Sequence, residues 1–417
     1  MAPRVEPSVV GGDAHARALT EELGAQLGRM KGAGAKIMQF LSMVAFDRER
    51  SNTALGTLRG GRRPVPFARL RRVVERELDR PVRKLFASFE EQPFAVASLG
   101  QVHRARTRDG EDVAVKVQHP DVAEAIEGDL RNIGLVSPIL GRIAPGVDAR
   151  ALLSEVRERI SDELDYELEA QHQRRLARRF CGHPHVHVAR VHTELSTRRV
   201  LVTEYVDGLG AQAIEGLADP ERDRVGEIVF RFFFGLVWRE GLVAGDPHPE
   251  NCLLCADGRL CLVDFGLVRD LEPDYLEGER GVMRAIAERD PQGVHDGLAA
   301  LGYLPESREF DPEALLEHLA TAGGWLLDRG FRRLDADDVE RIVEAGYPPR
   351  SPWFALMRRE RIPPATLLLR RMEIQVLSVL GELRAGADWG AMAAEHYAGE
   401  SASTALGRED RAFFVRP

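Results

Sequence analysis

Leu152, Val156, Ile160, Leu164 and Leu168 recur every four residues in an otherwise charged stretch, and this spacing predicts one amphipathic helix over 151–179. Upstream of it the apolar period shortens to two. Phe86–Phe89, Gly100–Ala105 and Asp112–Val117 read as strands, with Asp109-Gly110 as the hairpin turn between the last two. Two more strands are expected at Val186–Thr193 and Arg199–Tyr205, the second ending at Val206-Asp207-Gly208. From Ala211 the pattern is mostly helical, apart from a hairpin on Asp257-Gly258. Near the N-terminus, residues 1–12 read as disordered, and Leu19, Leu23 and Leu27 suggest an alanine-rich helix that resumes after Gly32 and Gly34 through Ile37 and Leu41. A polar linker, Ser51–Pro66, leads to a short helix over Phe67–Leu78.

This order predicts an α+β, bilobed, protein-kinase-like fold with a five-stranded small lobe and a mostly helical large lobe. The expected divisions are an N-terminal helical extension (1–83), a small lobe (84–208) and a helical lobe (209–417). At 417 residues, 44% hydrophobic and 29% charged, the chain is long enough for a sizeable core. A net charge of −9 removes the basic surface that nucleic-acid binding needs. Four cysteines and no apolar N-terminal segment argue against a disulfide framework and secretion, so the expected location is cytoplasmic, with a peripheral membrane role left open. The most apolar run, Ile228–Gly245, is broken by Arg231, Arg239 and Glu240 and is a poor membrane span.

The chemistry-bearing residues fall in two short stretches, Gly245-Asp246-Pro247-His248-Pro249-Glu250-Asn251 and Val263-Asp264-Phe265-Gly266. An Asp, an Asn five positions on and a second Asp thirteen beyond form the acidic set of a kinase-like site. Asp246 would orient or deprotonate an attacking hydroxyl, while Asn251 and Asp264 would hold Mg²⁺ against nucleotide phosphates. His248 stands where protein kinases place a Lys and could reach the terminal phosphate. Lysine is rare here, four among 57 basic residues, and Lys116 lies in Val-Ala-Val-Lys-Val on a predicted strand. A kinase uses such a Lys on the α- and β-phosphates, steadied by a helix carboxylate. The segment Ser161–Ala170 offers Glu163, Asp165 and Glu169 among others. Ala95, Val96, Ala97 and Ser98 occupy the phosphate-loop position, where ordinary kinases use glycines so that backbone N–H groups approach phosphate. Glu204 and Val206, at the end of the last strand, complete the expected nucleotide set.

On these residues the chain resembles the UbiB (AarF) family of atypical protein-kinase-like proteins, along nearly its whole length. The alanine-rich loop within Phe94–His103 and the run Glu163-Leu164-Asp165-Tyr166 followed by Glu169-Ala170 carry the likeness. The resemblance implies that Glu169 pairs with Lys116. It also implies that a Lys-x-Gly-Gln helix covers the cleft and meets Glu163 and Asp165, a segment that here reads Lys36-Ile37-Met38-Gln39. Three positions depart from the family pattern: Met38 for Gly, Ala244 for His, and Glu250 for Gly. The family connection to ubiquinone biosynthesis implies a lipid or quinone precursor as a possible partner.

Other signals carry less. Cys252, Cys255 and Cys261 sit in the hairpin between Asn251 and Asp264, where core thiols are expected rather than a zinc or redox site. His183, His185 and His187 lead into a strand with no carboxylate in register, which favours a loop over a metal site. No Ala-Pro-Glu element follows Asp-Phe-Gly, so a long activation segment is not expected. The resulting expectation is an atypical kinase or ATPase using ATP (or ADP) and Mg²⁺. The alternatives are a small-molecule phosphotransferase of the aminoglycoside or choline kinase type, and a nucleotide-binding pseudokinase scaffold.

Overall fold

A computed structural model describes residues 64–97, 99–139, 149–305, 309–346 and 366–415, together with Glu22, Ile37 and parts of 353–363. Helix α1 (Phe67–Glu77) buries Leu70, Val73 and Val74 on an antiparallel sheet of β1 (Phe86–Phe89), β2 (Ala95–Val96), β3 (Gly100–Thr107), β4 (Asp112–Gln118) and β6 (Val200–Glu204). Period-two alternation sorts β4. Val113, Val115 and Val117 point into the core with no exposure, so Lys116 points to the opposite face. The β3–β4 turn forms at Asp109-Gly110 as expected, with Gly110 at φ +89° and its N–H donating to the Thr107 carbonyl.

Two features differ from the sequence reading. The expected strand at 186–193 shrinks to β5 (Val186–Val188), which pairs in parallel with β10 (Leu260–Leu262) in a separate four-stranded sheet. The fifth strand of the upper sheet is instead the short β2. The expected helix over 151–179 is two helices, α3 (Ala149–Glu163) and α4 (Tyr166–Arg179), preceded by α2 (Val122–Arg131). Asp165 breaks it. Its backbone is extended and its carboxylate accepts from the Glu167 and Leu168 N–H groups at 3.0 and 3.3 Å, capping α4. Leu164 stays buried across the break, so the four-residue apolar spacing runs through it unchanged.

The large lobe is built on α5 (Asp219–Glu240), buried on almost every side and ended by Gly241 at φ +63°. Phe230 stacks on Phe234 at 4.4 Å, and Trp325 and Trp389 pack against them. Arg231, which interrupts the apolar run, is buried yet satisfied by Glu227 and by both oxygens of Glu395. Strand β7 (Gly208–Leu209) and the hairpin of β9 (Cys252–Cys255) and β10 follow, turning at Gly258. Strands β8 (Leu242–Ala244) and β11 (Val268–Asp270) pair antiparallel on either side of that hairpin in sequence. Helices α6 (Pro273–Ala287), α7 (Pro291–Ala300), α8 (Pro312–Ala322), α9 (Ala336–Gly346), α10 (Leu367–Glu382), α11 (Trp389–Tyr397) and α12 (Ala405–Val415) complete the lobe. No described helix is long and apolar enough to cross a membrane.

The histidine run finds its acids from afar. His183 Nε2 meets Asp410 and His185 Nε2 meets Glu409, both from α12 at 3.1 Å, while His187 Nε2 lies 3.1 Å from Glu204. Each ring takes a different carboxylate. Cys252 and Cys261 are buried, and burial pushes the Cys252 thiol up to about 12.

Candidate functional site

Strand β4 presents Lys116 between Val102 of β3 and Leu201 of β6. Its ammonium donates to both Glu169 oxygens at 2.8 and 2.9 Å and to Asp264 Oδ2 at 3.2 Å. Burial alone would lower the Lys116 ammonium, but the Asp264 and Glu169 carboxylates outweigh it and hold the group well above its ordinary value. Burial pushes the Glu169 carboxyl up to about 7 against the pull of Lys116. Tyr166, the first residue of α4, lays its buried ring 5.0 Å from the ammonium. Its hydroxyl also explains Gly100, where an added Cβ would sit 2.7 Å from that oxygen and 2.4 Å from the Val117 carbonyl.

Below this clasp lie the two loops. Asp264 Oδ1 accepts from the Gly266 N–H at 3.0 Å while Oδ2 faces Lys116. Asn251 donates its amide N–H to the Asp246 backbone carbonyl at 3.4 Å, which turns Oδ1 away as an acceptor. His248 Nδ1 accepts from the Glu250 N–H and so caps the turn Pro249–Asn251, leaving Nε2–H as its donor. Asp264 and Asn251 carry hard oxygen donors of the kind Mg²⁺ takes. No cluster of three or more His, Cys, Asp or Glu side chains able to hold a metal occurs among the described residues. That donor set fits Mg²⁺ completed by phosphate oxygens and water rather than an all-protein cage.

Asp246 is held by residues more than a hundred positions downstream. Arg371 Nη2 and Gln375 Nε2, successive turns of α10, donate to Asp246 Oδ1 at 2.6 and 3.1 Å, and Arg371 Nε donates to the Gly245 carbonyl at 2.8 Å. Leu368 packs so closely that a Cβ on Gly245 would lie 2.1 Å from it. Sequence reasoning passed over Arg371. The available signal was a charged pair, Arg370-Arg371, inside the apolar run Leu367–Leu380.

The remaining predicted residues divide. Ala95 and Val96 are exposed and pair with Val102 and Gln101, and the Ala97 N–H is taken by the Gly100 carbonyl at 2.8 Å. Glu204 is engaged by His187 and by the Arg190 N–H, and the His187 bond holds its carboxyl below the usual range. Val206 follows it, partly buried, in the connection to β7. Glu163 ends α3, where burial foremost and its charge last push Tyr166 and Glu169 upward, whereas Asp165 is turned into the α4 cap. Ser98, Lys36, Met38 and Gln39 lie outside the described residues. Ile37 is helical and fully buried in the large core cluster.

The family described as ABC1 atypical kinase-like domain matches this sequence over residues 57–297. The chloroplastic protein Activity of BC1 complex kinase 8 of Arabidopsis thaliana is 32% identical over 250 residues, covering 58% of this chain and 33% of that protein. A probable serine/threonine-protein kinase, abkA, of Dictyostelium discoideum is 30% identical over 302 residues, 68% of this chain and 53% of its own. The chain thus spans about a third to a half of these relatives. Among solved structures, Rv3197 of Mycobacterium tuberculosis, in complex with erythromycin, superposes with a TM-score of 0.67 at 26% identity, covering 93% of this chain and 98% of that one.

Proposed function

The chain belongs to the ABC1 (UbiB/AarF) atypical kinase-like family, and from that premise we propose that it binds ATP or ADP with Mg²⁺ and transfers or hydrolyses the terminal phosphoryl group. The observation that carries this reading is the contact of Lys116 with Glu169 and Asp264 at one point between the lobes. Lys116 serves the α- and β-phosphates with Glu169 as its anchor, and Asn251 Oδ1 with Asp264 holds the metal. Bound there, Mg²⁺ supplies charge neutralisation for the phosphates. Asp246, fixed by Arg371 and Gln375, orients the attacking hydroxyl or water, and His248 Nε2–H faces developing charge on the terminal phosphate. The adenine edge falls to Glu204 and Val206, and Ala95, Val96 and Ala97, with Ser98 by its place in the sequence, are assigned to the phosphates. Lys36 and Gln39 with Glu163 form the cleft cover that family likeness implies.

The connection from Phe265 to α6 is short, a three-residue strand and a turn before Pro273. So compact a segment supports a small acceptor or water over a protein substrate, and a lipid or quinone precursor, met in the cytoplasm or at a membrane surface, is the acceptor we infer. The same shortness keeps a small-molecule phosphotransferase of the aminoglycoside or choline type as a second reading. ATP hydrolysis with and without isoprenoid-quinone precursors, lipids, choline and aminoglycosides, run beside Asp264→Asn, tests both. ATP binding with no turnover under every condition points to a pseudokinase scaffold and defeats the enzymatic proposal.

A further inference from the structure

We propose that the outer side of the small lobe carries a second anion site, a groove that takes a phosphoryl group and shares no residue with the nucleotide cleft. The groove has a volume of about 380 Å³ and lies between α1, the start of α2 and the turn before β6. Arg69, Arg72 and Arg76 enter it from one face of α1 at spacings of three and four residues, with Val73 beside them in the lining and Leu70 and Val74 turned into the core. Arg198 and Arg199 enter from the turn.

Exposed arginines are common in a chain that writes nearly all its cations as Arg, so their number alone means little. Their pairing is more informative. Arg69 meets Asp121 at 2.8 Å and Arg198 lies 3.7 Å from Asp165. Arg72, Arg76 and Arg199 have no acidic partner among the described residues, and the Arg199 Nε is buried without an acceptor. Glu124 and Glu127 of α2 line the other side, so five guanidinium groups stand against four carboxylates once Asp121 and Asp165 are counted, in a chain whose net charge is −9. Cations gathered against the sign of the whole chain repel one another unless an anion is shared between them. The planar fork of Arg matches phosphate oxygens in pairs, and the volume suits a small polyanion or a single headgroup.

The floor of the groove is formed by Gln118 and Leu164, joined by an amide-to-carbonyl bond of 2.6 Å. Gln118 is two residues beyond Lys116 on the same strand, and Leu164 adjoins the Asp165 cap of the Glu169 helix. The floor of the groove is thus continuous with the strand that carries Lys116 and with the helix that carries Glu169.

Inorganic pyrophosphate titrated calorimetrically into the full chain in EDTA is the probe. Arg72 and Arg76 are exposed, so Arg72→Glu/Arg76→Glu should leave the thermal melt unchanged while weakening binding about tenfold or more. Hydrogen exchange on the unmodified protein locates the site: pyrophosphate should slow residues 67–77 and 196–200. Slowing confined to 94–100 and 246–266 would put the anion in the nucleotide cleft and overturn the proposal. A parallel sedimentation with phosphatidylcholine vesicles, with or without phosphatidic acid, separates the sources. Retention by phosphatidic acid that the double variant abolishes, without pyrophosphate binding, assigns the groove to a lipid headgroup. Binding to neither probe, or binding to either that survives the double variant, ends the idea.

Discussion

Glu169 on the upper wall of the cleft is buried, with 3% of its side chain exposed, and binds the partly exposed Lys116, whereas Asp246, Asn251 and His248 on the lower wall are all partly exposed and are held by Arg371 and Gln375 or by backbone groups of their own loop. The Glu169 charge is tolerated inside the lobe because the Lys116 ammonium satisfies both its oxygens. The lower groups could stand in water unaided, so their bonds to Arg371, Gln375 and the Asp246 and Glu250 backbones select orientation rather than permit burial. Disturbing the upper wall should therefore register in folding, and disturbing the lower wall in turnover.

The largest expected effect follows directly. Glu169→Leu leaves a mostly buried ammonium with Asp264 as its remaining acid, and denaturant unfolding should show a loss of about 3 kcal/mol. Lys116→Met/Glu169→Leu removes both charges and should recover most of it. If the single variant costs less than about 1 kcal/mol, the pair is no more than a surface bridge and the contrast between the walls fails.

Asp264 spans both walls and separates the two readouts. It is about a third exposed, so Asp264→Asn should leave stability nearly unchanged. Loss of an anionic ligand should nonetheless lower Mg²⁺-dependent ATP turnover by on the order of a hundredfold or more. Steady-state hydrolysis across a Mg²⁺ titration measures this, and wild-type turnover in the variant removes Asp264 from the metal assignment.

What the amino-acid order revealed follows the range of the interactions involved. The alternation around Lys116 and the turns at Asp109-Gly110 and Asp257-Gly258 depend on neighbours within a few residues, and they appear where local pattern places them. The Asp-x-x-x-x-Asn spacing is also local, because one turn capped by His248 fixes it. The break at Asp165 was hidden because Leu164 keeps the apolar period while its backbone leaves the helix. The partner of β5, the acids facing the three histidines and the support of Asp246 are all supplied by residues 17 to 227 positions away, with no periodic trace in either segment. A pattern reading named the candidate groups that the structure brings to the cleft and missed the residues that hold them there.

That gap gives the next test. Gln375→Leu removes one neutral donor from Asp246 Oδ1 and should lower kcat about fivefold, equivalent to about 1 kcal/mol, with KM for ATP little changed. Arg371→Lys removes the forked contact that spans Asp246 and the Gly245 carbonyl and should cost more than Gln375→Leu. A fall in melting temperature with unaltered kcat would make these residues structural and return the lower wall to the behaviour of the upper one.

The smallest effect is expected in the loop Ala95–Ala97, the candidate phosphate loop, which belongs to neither wall. Ala95 and Val96 are exposed, and the turn they open spends the Ala97 N–H on the Gly100 carbonyl instead of offering it to a ligand. Ala95→Gly relaxes a backbone that the Cβ confines to the extended region without touching that hydrogen bond. Freed conformations let the strand approach the terminal phosphate, which ATP has and ADP lacks, so the ATP-to-ADP affinity ratio should move by a few-fold, under about 1 kcal/mol. A thermal-shift series with each nucleotide measures it against the parent chain. Identical profiles for the two proteins would mean that the alanines do not govern phosphate approach, and nucleotide preference would then rest on the Lys116 clasp alone.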